Sequence, residues 1–110
     1  MKLDKDKQIL FICDYGQSRS KYFADRLDKM GYDTQYAGFV NGDGSRHITE
    51  TMIVMSEIVI ILSVSWRHVR EFEDIVHLIQ RYGKQVYHFH INDESQKFKQ
   101  YFDEFMQEVE

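Results

Sequence analysis

The chain has no proline and only one cysteine, Cys13, in 110 residues. A lone cysteine excludes an internal disulfide framework and any zinc site made of this chain's own cysteines. A free thiol fits a reducing compartment, so a cytoplasmic location is expected. Without proline, turns must come from Gly, Asn, Asp and Ser. No apolar run approaches the ~20 residues that span a bilayer, and no membrane partner is expected. The charged opening, Met1 to Lys7, reads as a flexible tail over residues 1–7 and not as a signal peptide, which would carry an apolar stretch there. Basic residues are also in deficit: fourteen against eighteen acidic ones give a net charge of -4, which argues against a nucleic-acid partner held by a broad basic field. There is no internal repeat, low-complexity tract or linker. Residues 1–110 are read as a single domain.

What the chain does have is an alternation of two patterns. Gln8 to Cys13 is a short, continuous apolar run, as in a strand covered on both faces. Ser20 to Met30 has helical spacing, with Phe23, Leu27 and Met30 on one face and Gly31 as the stop. Thr34 to Val40 is a second strand that runs into the loop Asn41-Gly42-Asp43-Gly44. Ile48 to Met55 holds a short helix, and Glu57 to Leu62 is the most β-branched strand of the chain. Trp66 to Tyr82 is helical and ends at Gly83. Gln85 to Ile91 is the fourth strand. Ser95 to Val109 is the last helix, with Ser95 as its N-cap and Phe98, Phe102 and Phe105 as a core stripe. Strands and helices taking turns, with fully apolar strands, imply an α/β fold. The expectation is a four-stranded parallel sheet, order 2-1-3-4, with helices on both faces. In such sheets ligands sit at the carboxyl ends of the strands, so chemistry is sought after Cys13, Leu62 and Phe89.

The segment Cys13-Asp14-Tyr15-Gly16-Gln17-Ser18-Arg19-Ser20 joins the first strand to the first helix. A strand end, a tight loop and a helix start make an anion cradle of inward backbone N–H groups, strengthened by the helix dipole. The cradle is expected from residues 14 to 19. Cys13 at its floor is a nucleophile whose ionisation is eased by the helix N-terminus and by Arg19. The planar fork of Arg19 can hold two oxygens of a tetrahedral anion, and Ser20 can donate to the thiolate. These parts suit displacement at phosphorus by sulfur. A buried cysteine alone is commonly just a small apolar residue. Arg19 and Ser20 in register give it a functional reading.

Ile9-Leu10-Phe11-Ile12-Cys13, five residues, then Arg19-Ser20 and a helix carrying Ala24, resembles the low-molecular-weight protein tyrosine phosphatase superfamily, in particular its small predicted members. The likeness continues through Tyr36-Ala37-Gly38, Ser56-Glu57, Trp66-Arg67-His68 and Gly83-Lys84-Gln85-Val86. It implies a protein tyrosine phosphatase-like phosphomonoesterase without cofactor or metal, acting through a phosphocysteine on a phosphorylated protein or small aryl phosphate. A monomer or weak dimer is expected. Cys13 would be the nucleophile and Arg19 the oxyanion clamp. Asp93 would be the general acid, with Glu94 in reserve, because the family takes its acid from the loop after the fourth strand. Asp14, Tyr15, Gly16, Gln17, Ser18, Arg19, Ser20 and Trp66 would contact substrate.

The chain departs from that pattern at three places. Asp14 puts a negative charge beside the nucleophile, and its side chain is expected to turn outward. Gly16 stands where the family commonly has an asparagine that braces the loop, and Lys21 where it has a proline, so a softer loop is expected. Two other functions share these features. A phosphocysteine carrier of the sugar phosphotransferase IIB type generally lacks the arginine. A phosphate-binding module without turnover is kept open by Asp14 and the unbraced loop. An arsenate reductase with an internal disulfide cascade would require more cysteines than one, whereas counting leaves a glutathione-linked one open. His88 and His90 share a strand face, but no third ligand has metal spacing, and they are read as ordinary sheet residues. Trp66 suits either a pocket wall or helix packing. Asp43, Arg46 and His47 lie in the glycine-rich segment with no geometry implied.

Overall fold

Why β1, Ile9–Cys13, is apolar at every position becomes plain from its place in the sheet: it has a strand on each side and helices on each face. The computed structural model describes residues 2–42, 44–63 and 68–109. After β1 come α1 (Arg19–Lys29), β2 (Thr34–Gly38), α2 (Glu50–Met55), β3 (Ile58–Ile61), α3 (Val69–Arg81), β4 (Gln85–His88), a 3-10 turn (Ser95–Lys97) and α4 (Phe98–Glu108). The strands are all parallel, in the expected order β2-β1-β3-β4. Ile9 lies opposite Thr34 on one side and Ile58 on the other, and Ile58 lies opposite Gln85.

Strand pleating divides the core in two. Ile9 and Phe11 of β1, with Ile58 and Ile60 of β3, meet Phe23 and Leu27 of α1 and Phe102 and Phe105 of α4. Leu10, Ile12, Val59 and Ile61 point the other way, onto Ile53 of α2 and Ile79 of α3. On the first face, Phe105 meets Phe11, Phe23 and Phe89 edge-on. The phenylalanine stripe of the last helix is therefore core, as its spacing predicts.

Element ends differ more than element types. α1 finishes as expected: Gly31 takes φ +93°, its N–H bonds Asp28, and the Tyr32 N–H bonds Leu27. The fourth strand, expected to reach Ile91, ends at His88, where β4 is a half-exposed edge. Phe89 and Ile91 still donate their N–H groups to Ile61 and Leu62, so the chain keeps running alongside β3. Ser95 lies inside the 3-10 turn and caps no helix, and α4 begins at Phe98. Among the described residues the third helix begins at Val69, while its expected start at Trp66 lies outside them, as does Asp43. No helix of the described residues is long and apolar enough to cross a membrane.

In this strand order the chain leaves β1 toward β2 and later returns across it to β3. The reversal point is the carboxyl end of β1 and β3, the crevice in which such sheets bind ligands. Cys13 closes β1 there, and Leu62-Ser63 follows β3.

Candidate active site

Cys13 is 2% exposed, at the floor of the loop. Its Sγ lies 3.0 Å from Ser20 Oγ and accepts the Ser20 backbone N–H at 3.5 Å. Ser20 itself is completely buried in the first turn of α1, so both donors are fixed by the helix. Sulfur, hydroxyl and helix start thus meet as the sequence predicts.

Between Cys13 and Ser20 the loop follows an unusual path. Gly16 has φ +70°, and a Cβ there would come within 2.5 Å of the Ala37 and Gly38 backbone. Reciprocally, a Cβ on Gly38 would meet the Tyr15 backbone at 2.3 Å. The loop is also fastened by backbone hydrogen bonds. Phe39 N–H donates to Cys13 O, Val40 to Asp14 O at 2.9 Å and Arg46 to Tyr15 O at 2.8 Å. Arg46 in turn accepts from Gly38 N–H at 2.7 Å. At Gly16 no side chain braces the loop; a glycine-on-glycine contact and these main-chain bonds fasten it to β2 instead.

The same fastening uses the loop's carbonyls and leaves its donors over. Among the described residues, the backbone N–H groups of residues 14–19 donate to no backbone carbonyl, and that of Ser20 goes to the sulfur. Arg19 is 13% exposed. Its Nη1 donates to Ile91 O at 3.2 Å, which holds the guanidinium at the loop. Its Nε is buried with no hydrogen-bond partner. Buried polar groups left without a partner are rare and costly, and a cationic donor more so.

Asp14 overturns an expectation. Its side chain turns inward, 19% exposed, with Oδ1 accepting the Ser63 hydroxyl at 2.7 Å and standing 3.6 Å from Arg19 Nη2. The cause is a partner on another element: Ser63, 2% exposed at the end of β3, supplies a buried hydroxyl that a carboxylate satisfies.

Asp93 reaches the loop as well, because the Ser18 hydroxyl donates to its Oδ1 at 2.8 Å. Glu94 instead pairs with Lys97 at 3.0 Å, within its own turn. Of the two acids, only Asp93 has a described contact with the loop. Tyr15 is exposed, with its ring 6.3 Å from that of His68. Gln17 is exposed too. Trp66 lies outside the described residues. Arg46 is held away on β2 by Tyr36 O at 2.8 Å, by Gln35 Oε1 and by the Tyr36 ring.

His88 and His90 stand with rings 5.7 Å apart, and Phe72 packs on His88. Partial burial, and then the nearby His90, hold His88 below the ordinary imidazole pKa. Among the described residues no three His, Cys, Asp or Glu side chains are grouped to hold a metal ion.

Three contributors escape a reading of the sequence. Ser63 orients Asp14, the Ile91 carbonyl holds Arg19, and Gly38 receives Gly16. Ser63 and Ile91 do follow Leu62 and Phe89, where a parallel sheet places ligand loops. Gly38 carries a signal only once its strand is known to lie beside β1.

No known family model, curated protein or solved structure matches the chain.

Proposed function

We propose that this chain is a cysteine-dependent phosphomonoesterase, a protein tyrosine phosphatase-like enzyme of the low-molecular-weight type. Its substrate is a phosphorylated protein or small aryl phosphate, and its intermediate a phosphocysteine. One observation carries the reading. The buried Arg19 Nε has no protein partner, at the end of a loop whose N–H groups donate to no described backbone carbonyl. A tetrahedral oxyanion is the ligand such a donor set fits.

The reaction runs in two displacements. The Cys13 thiolate, stabilised by the Ser20 hydroxyl and N–H, forms an S–P bond while the P–O bond to the leaving group breaks. Asp93 protonates the departing oxygen. A water then attacks phosphorus and gives its proton to Asp93. The S–P bond breaks, and phosphate and the thiolate are regenerated. Arg19 and the loop N–H groups bind the equatorial oxygens through both steps, where charge builds up. The chemistry calls for no metal or cofactor. The same reading puts the protein in the cytoplasm, as a monomer or weak dimer without a nucleic-acid partner.

A second reading is a phosphate-binding module without turnover. It is favoured by the 2% exposure of Cys13, since a nucleophile must meet phosphorus in line. A phosphocysteine carrier fits less well, because it has no use for Arg19. Hydrolysis of p-nitrophenyl phosphate separates these readings. Wild type turns over and is inhibited by orthovanadate, Cys13→Ser does not turn over, and Arg19→Ala loses about 10²–10³-fold in rate, the usual effect of removing an oxyanion donor. Vanadate binding with no turnover would establish the module instead.

A further inference from the structure

We infer that Asp14 is a charge filter: it makes the Cys13–Ser20 loop select singly charged tetrahedral oxyanions over doubly charged ones. The inference rests on the proposed phosphate site and names a specificity residue within it.

Arg19 has Nη1 committed to the Ile91 carbonyl and Nε without a partner, while Nη2 faces Asp14 Oδ1 at 3.6 Å. That separation is beyond a hydrogen bond, so the protons of Nη2 stay available, but the charge of the guanidinium is offset. Asp14 cannot relax away cheaply, because Ser63 holds the same oxygen at 2.7 Å. Both side chains are mostly buried, at 13% and 19% exposure, so salt and water screen the pair only in part.

Among the described residues, no second arginine or lysine makes a side-chain contact with the loop to replace the charge that Asp14 offsets. Cys13 lies at the floor and Asp93 on Ser18, and neither side chain can supply a cation. His68 sits against the Tyr15 ring and His47 is exposed at the Gly38 bridge. Arg46 is committed to β2. The hydrogen-bond donors therefore suit an oxyanion, while the local charge suits one negative charge better than two. For a phosphate monoester, whose second ionisation falls near 6, the favoured substrate is the protonated monoanion.

Sulfate and inorganic phosphate test this at one pH. At about pH 5.5 sulfate is doubly charged and phosphate mainly singly charged, so the protein is in one state for both. Titration calorimetry of wild type is expected to give tighter phosphate than sulfate binding. In Asp14→Asn, sulfate should tighten about tenfold and phosphate about threefold, because Coulomb repulsion scales with ligand charge. Ser63→Ala, which frees Asp14 to turn outward, should move both affinities the same way by less; it carries the test if Asp14→Asn fails to fold. Unchanged or weaker sulfate binding in the folded variants overturns the filter, while wild-type turnover of p-nitrophenyl phosphate leaves the phosphatase reading standing. Absence of both turnover and anion binding in wild type overturns both.

Discussion

A carboxylate earns the part of general acid by reaching the leaving oxygen, and here the contacts separate two neighbours. Asp93 touches the loop through Ser18, whereas Glu94 is taken by Lys97. Asp93→Asn should therefore slow aryl phosphates with poor leaving groups by about 10²–10⁴-fold, the range of general acid catalysis, and barely affect p-nitrophenyl phosphate. Steady-state rates across a series of substituted phenyl phosphates check this. An unchanged dependence on leaving-group pKa would take the role from Asp93. At this scale the sequence is informative about Cys13, Arg19, Ser20 and Asp93, whose spacing and flanking elements can be read directly. It is uninformative about Asp14, because the direction of that side chain is decided by Ser63, which arrives from β3.

Elements are legible where one physical rule dominates. β1 and β3 are buried on both faces and so apolar throughout, and α1 shows one apolar face ended by a glycine. β4 is an edge strand, paired only with β3 among the described residues and exposed at both ends, so its sequence carries no sharp signal of where pairing stops. The close approach of the loop to β2 is likewise invisible locally, since it depends on Gly16 and Gly38 meeting across two strands. It is nonetheless testable. Gly38→Ala would push a methyl group onto the Tyr15 and Gly16 backbone at 2.3–2.6 Å, with no flexible side chain to yield. Overpacking of this kind costs typically 1–3 kcal/mol, so about that loss is expected in urea unfolding, together with a drop in turnover as the loop is displaced. Full stability and full activity would show that the contact is not what shapes the loop.

Over the whole molecule, the strand order of the parallel sheet brings two stretches far apart in the chain to one crevice. β1 delivers Cys13, the turn into α1 delivers Arg19 and Ser20, and the run after β4 delivers Asp93 and the Ile91 carbonyl. Two separate apolar clusters, one on each face, hold that arrangement. If the crevice works as proposed, phosphorus passes through the one sulfur of the chain. The most direct measurement is rapid acid quenching of the enzyme during turnover of an aryl phosphate, followed by intact-mass and peptide analysis. The account predicts a phosphoryl group on Cys13, accumulating further in a variant whose second step is slowed and absent from Cys13→Ser. Hydrolysis that continues with no phosphate on Cys13, or that survives in Cys13→Ser, would contradict it.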